Sequence, residues 1–146
     1  MTIPRQESPQ ERGDSPLYYI SFERLVQLNR SPVAILTSRL GPSSLTTDQE
    51  LNDPQELVNE IAEYRATEQG FIRPDMPIQE IVFRILLSRR NEPTPLRDLH
   101  HELTEKWATP IRPINVTQEG LKQILDSDTY YGFAQKTPGS HQDEAA

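Results

Sequence analysis

The chain contains no cysteine. That excludes a disulfide framework, a thiolate nucleophile and any zinc site built on sulfur. Glycine is scarce, with 6 in 146 residues, and no two are spaced as G-x-G. A phosphate-cradling glycine loop is therefore excluded. No apolar run approaches the roughly 20 residues that a membrane helix needs. A block of positive charge is missing as well. The net charge is −7, and segment 42–75 alone carries eight acids against two arginines. Residues 1–41 are net +1 and residues 76–136 are net zero. Duplex binding relies on clustered Lys and Arg to neutralise phosphates, so this balance counts against it. The polar, proline-rich beginning predicts no secretory leader, and a cytoplasmic protein without cofactor, metal or membrane partner is the expectation.

Proline, by contrast, is plentiful. There are 13, about twice the usual share. Apolar residues make up 34%, which is low for a packed chain. Some of the chain is therefore expected to stay outside the core. Composition assigns this role to residues 1–16 as a disordered arm, 42–53 as a linker and 137–146 as a disordered tail.

Between these lie patterned segments. Residues 17–41 form a short apolar segment, predicted as two helices at 22–29 and 32–40, with Ser21 and Ser31 as caps. The second could equally be a strand, because "VAIL" is too short to decide. It stops at Gly41-Pro42. An acidic helix is predicted over 54–70, with Asp53 as N-cap, Pro54 at its first position and Gly70 as its stop. Its apolar stripe is Leu57, Val58 and Ile61, and Glu56, Glu60, Glu63 and Glu68 lie on its back. Residues 71–136 hold the most regular pattern. A helix starts near Asp75 and Pro77, carries Ile78, Ile81, Val82, Ile85 and Leu86, and ends at Asn91. Thr94 reads as the cap of the next helix, with Pro95 in its first turn. "ATPIRPIN" predicts an extended connection. Thr117 caps a third helix, and the aromatic "DTYYGFAQ" reads as a strand.

The second of these helices contains "HELTE", residues 101–105. It resembles half of the H-E-x-x-H zinc motif, with Glu105 in place of the second histidine. His100 and His101 are adjacent, so a helix points them in different directions and they cannot share one ion. A matching set for Asp98 and His101 on other helices is not evident, and neither is a further ligand from His141 in the tail. The ordinary reading places Leu96, Leu99, Leu103 and Trp107 on one buried stripe. His100 then lies at the stripe's edge, and His101 faces water with Arg97 one turn away. Ser43-Ser44 and the Glu60/Glu63 pair lack any partner that would make them a nucleophile or an acid–base couple. No catalytic residue is assigned.

The order helix, proline turn, Leu-rich helix, helix, aromatic strand resembles a winged helix-turn-helix domain. The matching pieces are "FRILLSRRNEPTPLRDLHHEL" and "DTYYGFA". They resemble the HARE-type winged helix found in the delta subunit of bacterial RNA polymerase, over residues 76–134. A full wing needs a hairpin after the third helix, and here it is either truncated or completed by "IRPINV". The fold class expected is thus mainly α: a small winged-helix-like domain with a short C-terminal strand, preceded by two short helices and an arm. The resemblance implies a non-catalytic docking or adaptor subunit in a transcription-associated assembly, with another protein as partner. Tyr18, Tyr19, Tyr130 and Tyr131 are the candidate anchors. A DNA-binding regulator is the alternative, reading bases with Gln118, Lys122 and Gln123 beside Glu119 on the third helix, supported by Arg89 and Arg90. A metal-dependent hydrolase around His101, Glu102 and Glu105 is a distant third.

Overall fold

A computed structural model describes residues 15–40, 53–111 and 113–136. Most of the expected arm, the linker, Ser43-Ser44, the tail and His141 lie outside the described residues. The elements run β1 (Leu17–Ile20), α1 (Phe22–Gln27), α2 (Pro32–Leu40), α3 (Pro54–Glu60), α4 (Ile78–Ser88), β2 (Thr94–Pro95), α5 (Leu96–Glu105), α6 (Gln118–Asp126) and β3 (Phe133–Lys136). The protein is mainly helical with one small antiparallel sheet. Among the described residues no helix is long and apolar enough to cross a membrane.

Side-chain caps set where several helices begin. Ser21 Oγ accepts from Arg24 N at 3.0 Å, Ser31 Oγ from Ala34 N at 3.1 Å and Asp53 Oδ1 from Gln55 N at 3.1 Å. Thr117 Oγ1 accepts from Gly120 N at 2.9 Å. Each satisfies a backbone N–H that has no partner inside the helix. "VAIL" is helical, within α2.

Three elements depart from the sequence reading. The acidic helix does not reach Gly70. It loosens into a π-helical turn over Ile61–Arg65, closed by Ala66 N donating to Ile61 O at 2.8 Å. Thr94 does not cap α5. Its hydroxyl donates to Glu92 O at 2.9 Å, and Thr94–Pro95 is a two-residue strand. Most consequential is Leu17–Ile20, expected as part of a helical segment. It is a strand at the centre of the sheet.

The strand order is β2-β1-β3, with both pairings antiparallel. Tyr18 and Ile20 face the helices and are buried, whereas Leu17 and Tyr19 face outward and are half-buried. Strand alternation requires this split. The pairing expected from "IRPINV" does not occur among the described residues: β3 pairs with Leu17–Ile20 instead. Asn91 extends the β2 side. Its φ of 62° turns the chain left-handed after α4, and its side-chain amide bonds the backbone of Ile20.

A single core joins both halves of the chain. Tyr18, Leu25 and Leu36 share it with Ile61, Phe83 and Leu125. Each fully buried aliphatic or aromatic side chain contributes about 1.5–3 kcal/mol. Residues 17–40 are therefore part of the one packed body. On α5, Leu96, Leu99 and Leu103 are buried and Trp107 is half-buried, as its stripe predicts. His100 Nε2 lies 2.6 Å from Val116 O, fastening the extended connection to α5. A carbonyl only accepts, so this nitrogen carries the proton.

Candidate docking surface

The turn between α6 and β3 carries the two tyrosines of "TYYGF", and local hydrogen bonds decide which is presented. Asp128 Oδ2 accepts from Tyr130 N at 3.0 Å and from Tyr131 N at 2.7 Å. This side-chain cap folds the turn back on itself. Gly132 then takes φ 79°. A Cβ there would meet Leu25 Cγ at 2.6 Å, so the turn and α1 lie in direct contact. Arg24 on α1 donates from Nη2 to Asp128 O at 3.0 Å.

The result divides the pair. Tyr131 points inward. Its ring is 5.1 Å from Phe83 and 5.6 Å from Phe133, and its hydroxyl donates to Glu80 Oε1 at 2.7 Å. Tyr130 points outward, 42% exposed, with its ring edge-on to Tyr131 at 4.7 Å. The guanidinium of Arg30 lies 3.6 Å above the Tyr130 ring. Arg30 follows α1, where Val26 is 60% exposed. Arg30 and Tyr130 together present a stacked cation and a partly open aromatic ring at this turn. That combination is enriched at protein interfaces.

Beneath the surface, Glu80 holds the turn to the helices. Arg39 Nη2 lies 2.7 Å from its Oε1 and Arg84 Nε 2.6 Å from its Oε2. Burial alone would raise the Glu80 carboxyl; hydrogen bonds from Arg39, Arg84 and Tyr131 outweigh it and hold the group below the ordinary value. Burial, then the bond to Glu80, pushes the Tyr131 hydroxyl well above the usual tyrosine range. A second network ties β1 to α6. Tyr18 donates to Asp126 Oδ1 at 2.7 Å, and Gln135 Nε2 donates to both Tyr18 Oη and Asp126 Oδ1 at 3.0 Å. Burial and the Asp126 bond likewise raise Tyr18.

The four tyrosines expected as anchors therefore part company. Tyr18 is 0% exposed and serves the core, so the reading of it as a partner contact is corrected. Tyr19 lies half-buried on the outer sheet face, Tyr131 is engaged with Glu80, and Tyr130 is open. Sequence reasoning missed Arg30, since nothing in "RLVQLNRS" signals that its arginine will stack on a ring a hundred positions away.

The residues named for DNA reading are dispersed and largely neutralised. Arg89 pairs with Glu102 at 2.7 Å, Arg90 with Glu63 at 3.3 Å and Lys122 with Asp126 at 3.0 Å. Gln118, Glu119 and Gln123 are exposed on α6. Around "HELTE", Glu102 also accepts from Trp107 Nε1 at 3.3 Å, and His101 and Glu105 face solvent. Among the described residues no three His, Asp or Glu side chains converge as a metal site would need. Arg97 lies 3.9 Å from Asp98. Two clefts open elsewhere, one beside Met76 and Ile111 and one beside Phe71 and Trp107, and neither is lined by any residue named above for DNA or partner binding. The chain matches no family model, no curated protein and no solved structure.

Proposed function

We propose that the chain is a non-catalytic docking subunit built on a winged-helix-like domain, acting in a transcription-associated assembly. The order α4, turn, α5, extended connection, α6, β3 supports the domain type. The antiparallel pairing of β3 with β1 gives the strand after α6 the partner that a wing strand needs. The observation that carries the docking reading is the contrast between two sets of side chains. The cations a DNA reader would use are each paired with a carboxylate, and α6 shows acids to solvent, which repel phosphate. Tyr130 instead stands exposed under Arg30.

The test has two arms. Affinity capture from the native host should retain a defined protein with the wild-type chain and lose it with Tyr130→Ala, while circular dichroism of the two chains matches. A duplex DNA probe should not shift at moderate salt. Retention of the same protein by Tyr130→Ala overturns the docking surface. A probe shift that falls steeply with salt and weakens in Gln118→Ala and Lys122→Ala establishes the DNA reader instead.

A further inference from the structure

Among the described residues β3 has a paired neighbour on one side only. Its register with β1 fixes which backbone groups face away. Ser21 N donates to Gly132 O at 2.8 Å, and the same register sets Tyr19 against Ala134 and Leu17 against Lys136. Bonded and non-bonded pairs alternate along an antiparallel ladder. Gly132, Ala134 and Lys136 thus turn their N–H and C=O towards β1. Phe133 and Gln135 turn theirs outward. The opposite side of β1 agrees, since Ile20, partner of Phe133, gives its backbone groups to Asn91. Among the described residues nothing pairs with the outward groups of Phe133 and Gln135. Of the devices that usually blunt an edge strand, proline is missing from Phe133–Lys136, and Lys136 is its one charge.

We propose that β3 pairs antiparallel with β3 of a second copy of the chain, about a two-fold axis at Ala134, giving one continuous six-stranded sheet. The spacing argues for this occupant. The outward groups sit one residue either side of Ala134, so a two-fold there sets Phe133 of each copy against Gln135 of the other. All four donors and all four acceptors are then used. Ala134 meets its own copy, and its methyl group permits close approach. Lys136 falls opposite Gly132, so the one charge on the strand avoids its like. The contact is isologous and closes on itself. Four residues make a short seam, and the dimer exchanges with monomer rather than being permanent. The seam is separate from the Tyr130 surface and stands or falls independently of it.

The chain lacks cysteine, which makes a clean test. Non-bonded antiparallel partners lie about 4.5 Å apart at Cα, within the roughly 4.4–6.8 Å that a disulfide spans. Mild oxidation of the full-length Ala134→Cys chain should give mainly disulfide dimer, whereas Gln118→Cys on exposed α6 should stay mainly monomer. Sedimentation of the wild type should move from one to two chain masses with concentration. Ala134→Lys sets two like charges against each other across the two-fold and should abolish that shift with the far-ultraviolet spectrum unchanged. A wild type that stays monomeric throughout, with Ala134→Cys crosslinking no faster than Gln118→Cys, overturns the proposal. So does a monomer whose Phe133 and Gln135 amides become protected only when a different protein is added.

Discussion

The side-chain amide of Asn91 bonds both backbone groups of Ile20: Oδ1 accepts from Ile20 N at 2.8 Å and Nδ2 donates to Ile20 O at 2.9 Å. A carboxamide has the donor and acceptor of a peptide group, so it extends the sheet where β2 has not yet begun. Asn91→Ala loses two part-buried bonds and places alanine at φ 62°. The expected cost is about 2–3 kcal/mol, measured by urea unfolding. Asn91→Gly relieves the backbone and should cost about 1–2 kcal/mol. Equal losses for the two would mean that backbone strain plays no part.

Gly132→Ala should be worse than its one added methyl suggests. The position has φ 79°, and the new Cβ would meet Leu25 at 2.6 Å and Ser21 O at 3.1 Å. A loss of about 2–4 kcal/mol is expected in denaturant unfolding. Adding Leu25→Ala removes one collision, so the double variant should be more stable than the sum of the two singles. Strict additivity would show that the contact with Leu25 is unimportant.

Tyr18→Phe and Tyr130→Ala should separate structure from surface. The first removes the donor to Asp126 from a buried ring and should cost about 1.5–3 kcal/mol. The second loses a ring already open to water and should cost about 1 kcal/mol or less. Thermal unfolding of both chains decides the order, and a reversed order would place the working tyrosine in β1.

Stability should fall on both sides of neutrality. Glu80 and Asp126 titrate lower in the folded chain than their ordinary values of 4.5 and 3.8. The unfolded chain therefore takes up protons first, and their contribution, complete above those values, drains away as the pH drops through the folded ones. Tyr18 and Tyr131 titrate above their ordinary 10.0, so their contribution is complete below that value and drains away above it. Melting temperature against pH should show both shoulders. Glu80→Gln should flatten the acid side, and Tyr131→Phe the alkaline side. An alkaline limb unchanged in Tyr131→Phe would remove the hydroxyl's bond to Glu80 from the account.

Much of the helical layout was legible because its signals are local. Asp53-Pro54 and Thr117 each set a helix start with atoms within three residues of the cap. The stripes on α3 and α5 gave the buried residues by periodicity alone. What could not be read depends on distant partners. "LYYI" is equally compatible with helix and strand until Phe133–Lys136 lies beside it. Thr94-Pro95 suits a helix start as well as a strand, and pairing with β1 decided in favour of the strand. The candidate surface had the same difficulty: Tyr130 and Tyr131 are indistinguishable in sequence, and only the Asp128 cap and the bend at Gly132 set one outward.

The central position of β1 also governs the order of events during synthesis. Ile20 leaves the ribosome 113 positions before Phe133, its partner. At about 5–20 residues per second, that is a delay of about 6–23 s. Through that interval Tyr18 and Ile20 belong to a nascent chain whose sheet does not yet exist, while the helices already made can associate around the vacancy. Chaperone capture of ribosome-bound chains should accordingly persist until β3 emerges, and release at an earlier length would mean that β1 finds shelter without its neighbour.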